Sequence, residues 1–194
     1  MRRAVALHDP YVLPPDLPVP QDDGACNHLL GMVVPDVVLP ATTGEQTDIA
    51  DLASDLAVLF VYPRTGVPGE EPLPGWDEIP GARGCTPQAC GFRDLFSELE
   101  GLGAAVAGVS TQSTEEQREF AARAELPYPL LSDTGLALAE ALRLPTFELE
   151  GMVFYRRVTL VLSRGGIAKV FYPVFPPDRN AAEVVEWLRS RHLQ

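Results

Sequence analysis

The sequence predicts an α/β domain with a mixed central sheet and helices on both faces. Three observations predict it. Two continuous apolar runs, residues 56–62 and 103–110, suit strands buried on both faces. The first is followed, after a long loop, by apolar residues at helical spacing, and the second by a capping box that opens a helix. The chain closes with two strand-like runs joined at Arg164-Gly165-Gly166 and a last amphipathic segment. A length of 194 residues suits one domain with appendages, and an apolar fraction of 46% can fill a core.

The elements follow in order. Residues 1–30 are rich in proline and acidic groups and read as an arm laid across the domain formed by 31–194. Residues 37–39 and 47–49, with Gly44 between them, suggest a hairpin. Leu56-Ala57-Val58-Leu59-Phe60-Val61-Tyr62 reads as a central strand ended by Pro63. Residues 63–84 are a long loop of the kind compact domains keep for function or motion. A helix follows, with Thr86 as a cap, Pro87 at its first position and Gly101 at its end. Ala89, Phe92, Leu95, Phe96 and Leu99 would face the core. After the second strand, Ser113 with Glu116 forms a capping box for a helix through about residue 125. A short strand lies near 128–133 and a small helix over 136–144. Strands over 153–162 and 167–174 come next, and the last helix opens at Asn180 with Ala181, Val184, Val185 and Leu188 as its apolar stripe. A ββα close after a βαβ unit is the thioredoxin-like arrangement. There a helix that follows a central strand starts at the sheet's carboxyl edge, a usual position for sites in open α/β folds.

Bulk properties exclude several functions. A net charge of −12 disfavours nucleic acid, whose phosphates call for a basic face, and equally an anionic membrane surface. No stretch reaches the roughly 20 apolar residues of a membrane helix. The apolar start, residues 1–7, ends at His8-Asp9-Pro10, too soon for a signal peptide. The protein is read as cytoplasmic, where its three cysteines are more often catalytic or inert than joined in permanent disulfides.

Two of these cysteines stand in Gly84-Cys85-Thr86-Pro87-Gln88-Ala89-Cys90-Gly91-Phe92, where loop becomes helix. Unpaired N–H groups and the helix dipole favour an anion there, and thiolate is the reactive form of cysteine. A second thiol nearby can capture whatever the first becomes on oxidation. Two plain readings compete: buried small hydrophobes and metal ligands. Cys26, beside His28, reads as a bystander, since two such residues do not make a four-ligand site. His8 and His192 carry no motif.

The chain resembles a peroxiredoxin of the bacterioferritin-comigratory, or Q-type, subfamily. The resemblance rests on Val61-Tyr62-Pro63, the double-cysteine segment through Arg93-Asp94, Gly108-Val109-Ser110-Thr111, and Leu126-Pro127-Tyr128-Pro129-Leu130-Leu131-Ser132-Asp133. It continues in Arg157-Val158-Thr159-Leu160-Val161-Leu162 and in Val170-Phe171-Tyr172-Pro173-Val174-Phe175 leading to Glu186-Trp187-Leu188. It implies a thiol peroxidase without a bound cofactor, acting as monomer or dimer. Cys85 matches the peroxidatic cysteine and Cys90 the resolving one, whose disulfide thioredoxin or a similar dithiol reduces. Arg157 matches the arginine that holds the thiolate and the peroxide.

Two departures stand out. The family pattern Pro-x-x-x-Thr-x-x-Cys has Ala82 at the threonine position. Pro63, its proline, is separated from Cys85 by about 15 residues more than the pattern requires, an unusual loop length. The insertion is placed at about 66–81. Thr65 is the first candidate to supply the missing hydroxyl and Thr86 the second. Trp76 and Pro74 in the insertion would rim the pocket and favour bulkier hydroperoxides.

Helix geometry adds one expectation. Five residues on a regular helix rise roughly 7.5 Å and turn roughly 140°. Cys85 and Cys90 would then need at least one turn to unwind before bonding. The rival functional readings are a non-catalytic thioredoxin-like sensor or binding module, favoured by Ala82, and a protein disulfide oxidoreductase, which would normally carry Cys-x-x-Cys.

Overall fold

The structure is a computed structural model and describes residues 9–192, the side chain of His192 excepted. The apolar start at residues 1–7 and His8 lie outside the described residues. Residues 9–37 run without helix or strand, yet Cys26, Leu29 and Val34 within them are buried in the core.

Strands β1 (Val38–Pro40) and β2 (Gln46–Asp48) form the first hairpin, and α1 (Ile49–Leu52) follows it, capped by the Asp48 carboxylate on the Ala50 N–H. Then come β3 (Leu56–Val61), α2 (Cys85–Asp94), α3 (Phe96–Gly101), β4 (Ala104–Ser110), α4 (Thr114–Arg123), β5 (Leu130–Ser132) and α5 (Ala137–Leu142). The chain ends with β6 (Thr146–Leu149), β7 (Met152–Tyr155), β8 (Val158–Ser163), β9 (Gly166–Phe171) and α6 (Asn180–His192). The main sheet has the order β5-β4-β3-β8-β9, with β5, β4 and β3 parallel and β8 and β9 antiparallel to their neighbours.

The central strand is apolar throughout because both of its faces are covered. Successive side chains alternate between faces. Val58, Phe60 and Tyr62 therefore join one core with Ala89 and Phe92 of α2, Phe120 of α4 and Val184, Val185 and Leu188 of α6. Ala57, Leu59 and Val61 join the other, with Ile49 of α1, Leu138 and Leu142 of α5, and the arm residues Cys26 and Leu29. The capping box of α4 forms as its sequence predicts, with Ser113 and Glu116 serving each other's backbone N–H.

Three expectations are corrected. The helix predicted from Thr86 to Gly101 begins at Cys85 and breaks at Leu95, whose backbone (φ −103°, ψ 10°) leaves helical geometry and separates α2 from α3. Its cap is Gly84, at φ 99°, rather than Thr86. A side chain at residue 84 would meet Pro177 and Leu13 at 2.3 and 2.8 Å, so glycine is demanded twice there, by dihedral and by space. The strand predicted over 153–162 is two strands. β7 pairs with β6 in a separate hairpin whose turn, Glu150-Gly151, has positive φ at both residues (50° and 74°), the geometry that suits a two-residue hairpin.

That hairpin carries a small third core. Trp76, in a short 3₁₀ turn (Trp76–Glu78) of the long loop, packs edge-on to Phe154 at 5.1 Å and lies 5.8 Å from Phe147. The 63–84 loop is thus anchored on β6 and β7.

Candidate active site

The loop from Pro63 and the start of α2 meet at the carboxyl end of β3, and Cys85, Arg157, Thr65 and Thr86 come together there. Cys85 is the first residue of α2 and only 3% exposed. The Arg157 guanidinium, also buried, reaches it from the stretch between β7 and β8, with Nη2 at 3.2 Å from Sγ. The same Nη2 donates to the carbonyls of Gly81, Ala82 and Arg83 at 3.1–3.2 Å. One cation thus gathers the turn before the helix and presents N–H donors to the sulfur, which complements negative charge there. The Cys85 thiol donates to the Ala82 carbonyl at 3.6 Å.

A second buried chain of polar groups aims the guanidinium. Arg157 Nη1 donates to Gln88 Oε1, and Gln88 Nε2 donates to Asn180 Oδ1 at 2.9 Å. Thr159 of β8 donates to the same oxygen at 2.7 Å. Gln88, three residues after Cys85 on α2, lies on the same helix face. The chain therefore ties the cysteine helix to β8 and to the first residue of α6.

Cys85 opens on a cleft of about 90 Å³, room for several waters or a small peroxide. Thr65 and Thr86 line it beside the cysteine, and Pro10, Val67, Pro72, Leu73 and Trp76 supply apolar walls. Thr65 donates from both its N–H (2.9 Å) and its hydroxyl (3.1 Å) to Gln112 Oε1. The Thr86 hydroxyl is buried and has no hydrogen-bond partner among the described residues. Ala82 turns its methyl into the cluster of Trp76 and Phe154, and the site uses only its carbonyl.

Cys90 sits on the same helix, half-buried, and all three cysteines are free thiols. Burial, above all, pushes the Cys90 thiol up from its ordinary value, with Arg93 opposing and Asp94 adding to the rise. Burial pushes Cys26 up to about 12, helped by the carboxylates of Asp23 and Asp22. His28 contacts the Leu142 carbonyl through Nε2 at 2.8 Å, at the foot of α5.

Known proteins share this sequence pattern and this fold. The Redoxin family model matches residues 29–185. Peroxiredoxin Q of Arabidopsis thaliana chloroplasts is 30% identical over 161 residues, 82% of this chain and 67% of that protein. The Sedum lineare protein of the same name is also 30% identical, over 82% of this chain and 77% of its own. In structure, peroxidoxin BcpB of Mycobacterium tuberculosis superposes with a TM-score of 0.68 at 31% identity, covering 84% of this chain and 98% of that one. This chain belongs to the peroxiredoxins, in their bacterioferritin-comigratory and Q-type branch. It is accordingly a thiol peroxidase. The thioredoxin-like fold is shared as well with a cysteine-to-serine mutant of PrxQ from Xylella fastidiosa, at TM-score 0.69 and 21% identity over 85% of this chain and 98% of that one.

The residues that support this peroxiredoxin's site are hard to see in the sequence. Gln88, Gln112, Thr159 and Asn180 carry no reactive group, and only spacing hints at any of them. Gln88 stands three residues after Cys85, and Thr159, in β8, two after Arg157, a spacing that in extended chain puts both on one side. Gln112 leaves no signal, because it reaches Thr65 across 47 residues of sequence.

Proposed function

We propose that Cys85 is the peroxidatic cysteine and Cys90 its resolving partner. The observation that carries this reading is the buried Arg157 guanidinium 3.2 Å from Cys85 Sγ at the first residue of a helix. The Cys85 thiolate attacks the terminal oxygen of a hydroperoxide. An S–O bond forms, the O–O bond breaks, and the leaving oxygen departs with a proton as an alcohol or water. Sulfur loses two electrons and the peroxide gains them. Cys90 sulfur then attacks the sulfenic acid, an S–S bond replaces the S–O bond, and water leaves. A dithiol of the thioredoxin type returns two electrons and two protons.

The reading extends to the rest of the chain. Arg157 holds the sulfur and the preceding turn, and Thr65 shapes the cleft. Residues 9–30 act as an arm over the domain, and 66–81 as an insertion that walls the site. The substrates are hydrogen peroxide and organic hydroperoxides, and the protein works in the cytoplasm as monomer or dimer. Among the described residues no helix is long and apolar enough to cross a membrane.

Mass spectrometry after one equivalent of peroxide tests the assignment. The wild type gains a Cys85–Cys90 disulfide. Cys90→Ser stops at a Cys85 sulfenic acid after one turnover, and Cys85→Ser consumes no peroxide. A Cys85–Cys26 disulfide, or turnover in Cys85→Ser, overturns it.

A further inference from the structure

We propose that Thr86 donates the hydrogen bond to bound peroxide that, in this family's pattern, a threonine at the position of Ala82 would supply. The inference rests on the reading of Cys85 as the attacking thiol and names a further substrate-contacting group for that reaction.

Side chains at three positions compete for the role, and two of them are unsuited to it. Position 82 points the wrong way, since its methyl is packed with Trp76 and Phe154 and only its carbonyl reaches the sulfur. Thr65 lines the cleft, but its one hydroxyl proton is committed to Gln112 Oε1 at 3.1 Å. That acceptor also holds the Thr65 N–H at 2.9 Å, so the arrangement is doubly fixed. A threonine hydroxyl donates once. Thr65 can accept from a ligand while this bond stands, but it cannot donate to one.

Thr86 has the opposite condition. Its residue is 1% exposed, its Oγ1 is closed to solvent, and the hydroxyl has no partner among the described residues. A buried hydroxyl without a partner is destabilising and calls for an explanation. The usual outlet for a threonine in a helix is a carbonyl three or four residues back. For Thr86 the carbonyl four back is that of Ala82, already taken by Arg157 and by the Cys85 thiol. The carbonyl three back, Arg83, is held by Arg157. Both carbonyls thus already accept from the guanidinium, and the Thr86 hydroxyl bonds to neither.

Position makes the free hydroxyl useful. Thr86 follows Cys85 in the first turn of a ten-residue helix, where backbone N–H groups lack intrahelical partners. Both residues line one cleft, closed by the same walls. A peroxide bound in that cleft at the sulfur lies beside residue 86 as well. As the S–O bond forms and the O–O bond breaks, negative charge grows on the leaving oxygen. In the proposed complex the Thr86 hydroxyl and helix N–H groups, with Arg157 on the sulfur, meet that charge from two directions. Pro87 next in sequence removes one N–H from the turn, which raises the value of a side-chain donor.

The test compares Thr86→Val, Thr86→Ser, Thr65→Val and Cys85→Ser with the wild type. Each reduced protein is mixed with hydrogen peroxide, and the second-order rate of Cys85 oxidation is followed by quenching and mass spectrometry. Iodoacetamide alkylation of Cys85 is measured beside it, since that reaction needs the thiolate but no donor to an O–O bond. The expected result is a loss on the order of 100-fold in Thr86→Val. Thr86→Ser regains most of the rate, alkylation is unchanged in both, and Thr65→Val loses less than Thr86→Val. Wild-type oxidation rates in Thr86→Val overturn the proposal. So does an equal loss in the serine variant, a matching fall in alkylation, or a larger loss in Thr65→Val. In each of these cases peroxide consumption by wild type but not Cys85→Ser leaves the peroxidase reading intact. A wild type inert to peroxide removes both.

Discussion

At the scale of single residues, the site depends on Arg157 being arginine. Its planar fork serves Gln88 with one nitrogen and three carbonyls plus a sulfur with another. A lysine ammonium has three donors, no second nitrogen and no plane, so it cannot reach both sets. Arg157→Lys is expected to slow Cys85 oxidation on the order of 100-fold and to lower the thermal midpoint, because buried carbonyls lose their donor. A lysine variant that keeps wild-type rates in a stopped-flow assay would show that charge alone suffices. Cys90 gives a prediction in pH. Burial holds its thiol above the ordinary 9.0, so near neutral pH it is protonated in the intact helix. Sulfenic acid must then wait for deprotonation, and disulfide formation accelerates as pH rises from 7 through 9 and beyond. A pH-independent rate over that range, measured by quenched mass spectrometry, contradicts it.

At the scale of elements, α2 is both the scaffold of the site and the part that has to move. Cys85 and Cys90 are on one continuous helix, where five residues separate them by about 7.5 Å of rise and about 140° of turn. A disulfide needs Cα atoms closer than that and Cβ vectors that converge. The helix must therefore unwind, and its stability enters the rate of resolution. Gly91 lies inside it, and an added Cβ would meet Asp178 O at 3.5 Å and Ala181 Cβ at 3.6 Å, ordinary contacts. Gly91→Ala is expected to stabilise the helix by up to about 1 kcal/mol and to slow disulfide formation by up to about fivefold. Tyr128→Phe should act in the other direction, since the Tyr128 hydroxyl holds the Ala89 carbonyl of α2 at 2.6 Å. If neither variant changes the interval between sulfenic acid and disulfide, unwinding of α2 is not the slow step. This element is legible in its cysteines and its apolar stripe. Its start is not, because Thr86-Pro87 is a good cap pair in isolation and the true cap, Gly84, is selected by Pro177 and Leu13, far away in sequence. The β6–β7 hairpin is obscured for a related reason. Its Glu150-Gly151 turn is visible, but polar Thr146 and Glu148 alternate against Phe147 and Leu149 too briefly to outweigh a helix ending at Pro145.

At the scale of the molecule, the central sheet is legible in the sequence because β3 and β8 are buried on both faces and so are apolar almost without interruption. How the parts outside the sheet attach to it is not legible there. The arm is the clearest case: Leu13 packs on Gly84 at the head of α2, and Cys26 and Leu29 enter the core beneath β3. Cys26 makes this attachment measurable. Its thiol is pushed up to about 12 by burial and by Asp23 and Asp22, against an ordinary 9.0. Below pH 9 the thiol is protonated in both folded and unfolded chains and adds no pH dependence. Between 9 and 12 the unfolded chain has released this proton while the folded chain retains it. The unfolded state then binds fewer protons, so stability falls as pH rises through that window. Half-buried Tyr172 adds to the same alkaline loss, held at about 12 by partial burial and by the carboxylate of Asp23. Cys26→Ala removes only the cysteine's share. Urea midpoints recorded from pH 7 to pH 10.5 should therefore fall less steeply above 9 in Cys26→Ala than in the wild type, whatever offset the lost side chain causes at pH 7. Parallel curves would mean that the arm releases Cys26 to water before the core unfolds, and that its anchoring contributes nothing to the cooperative transition.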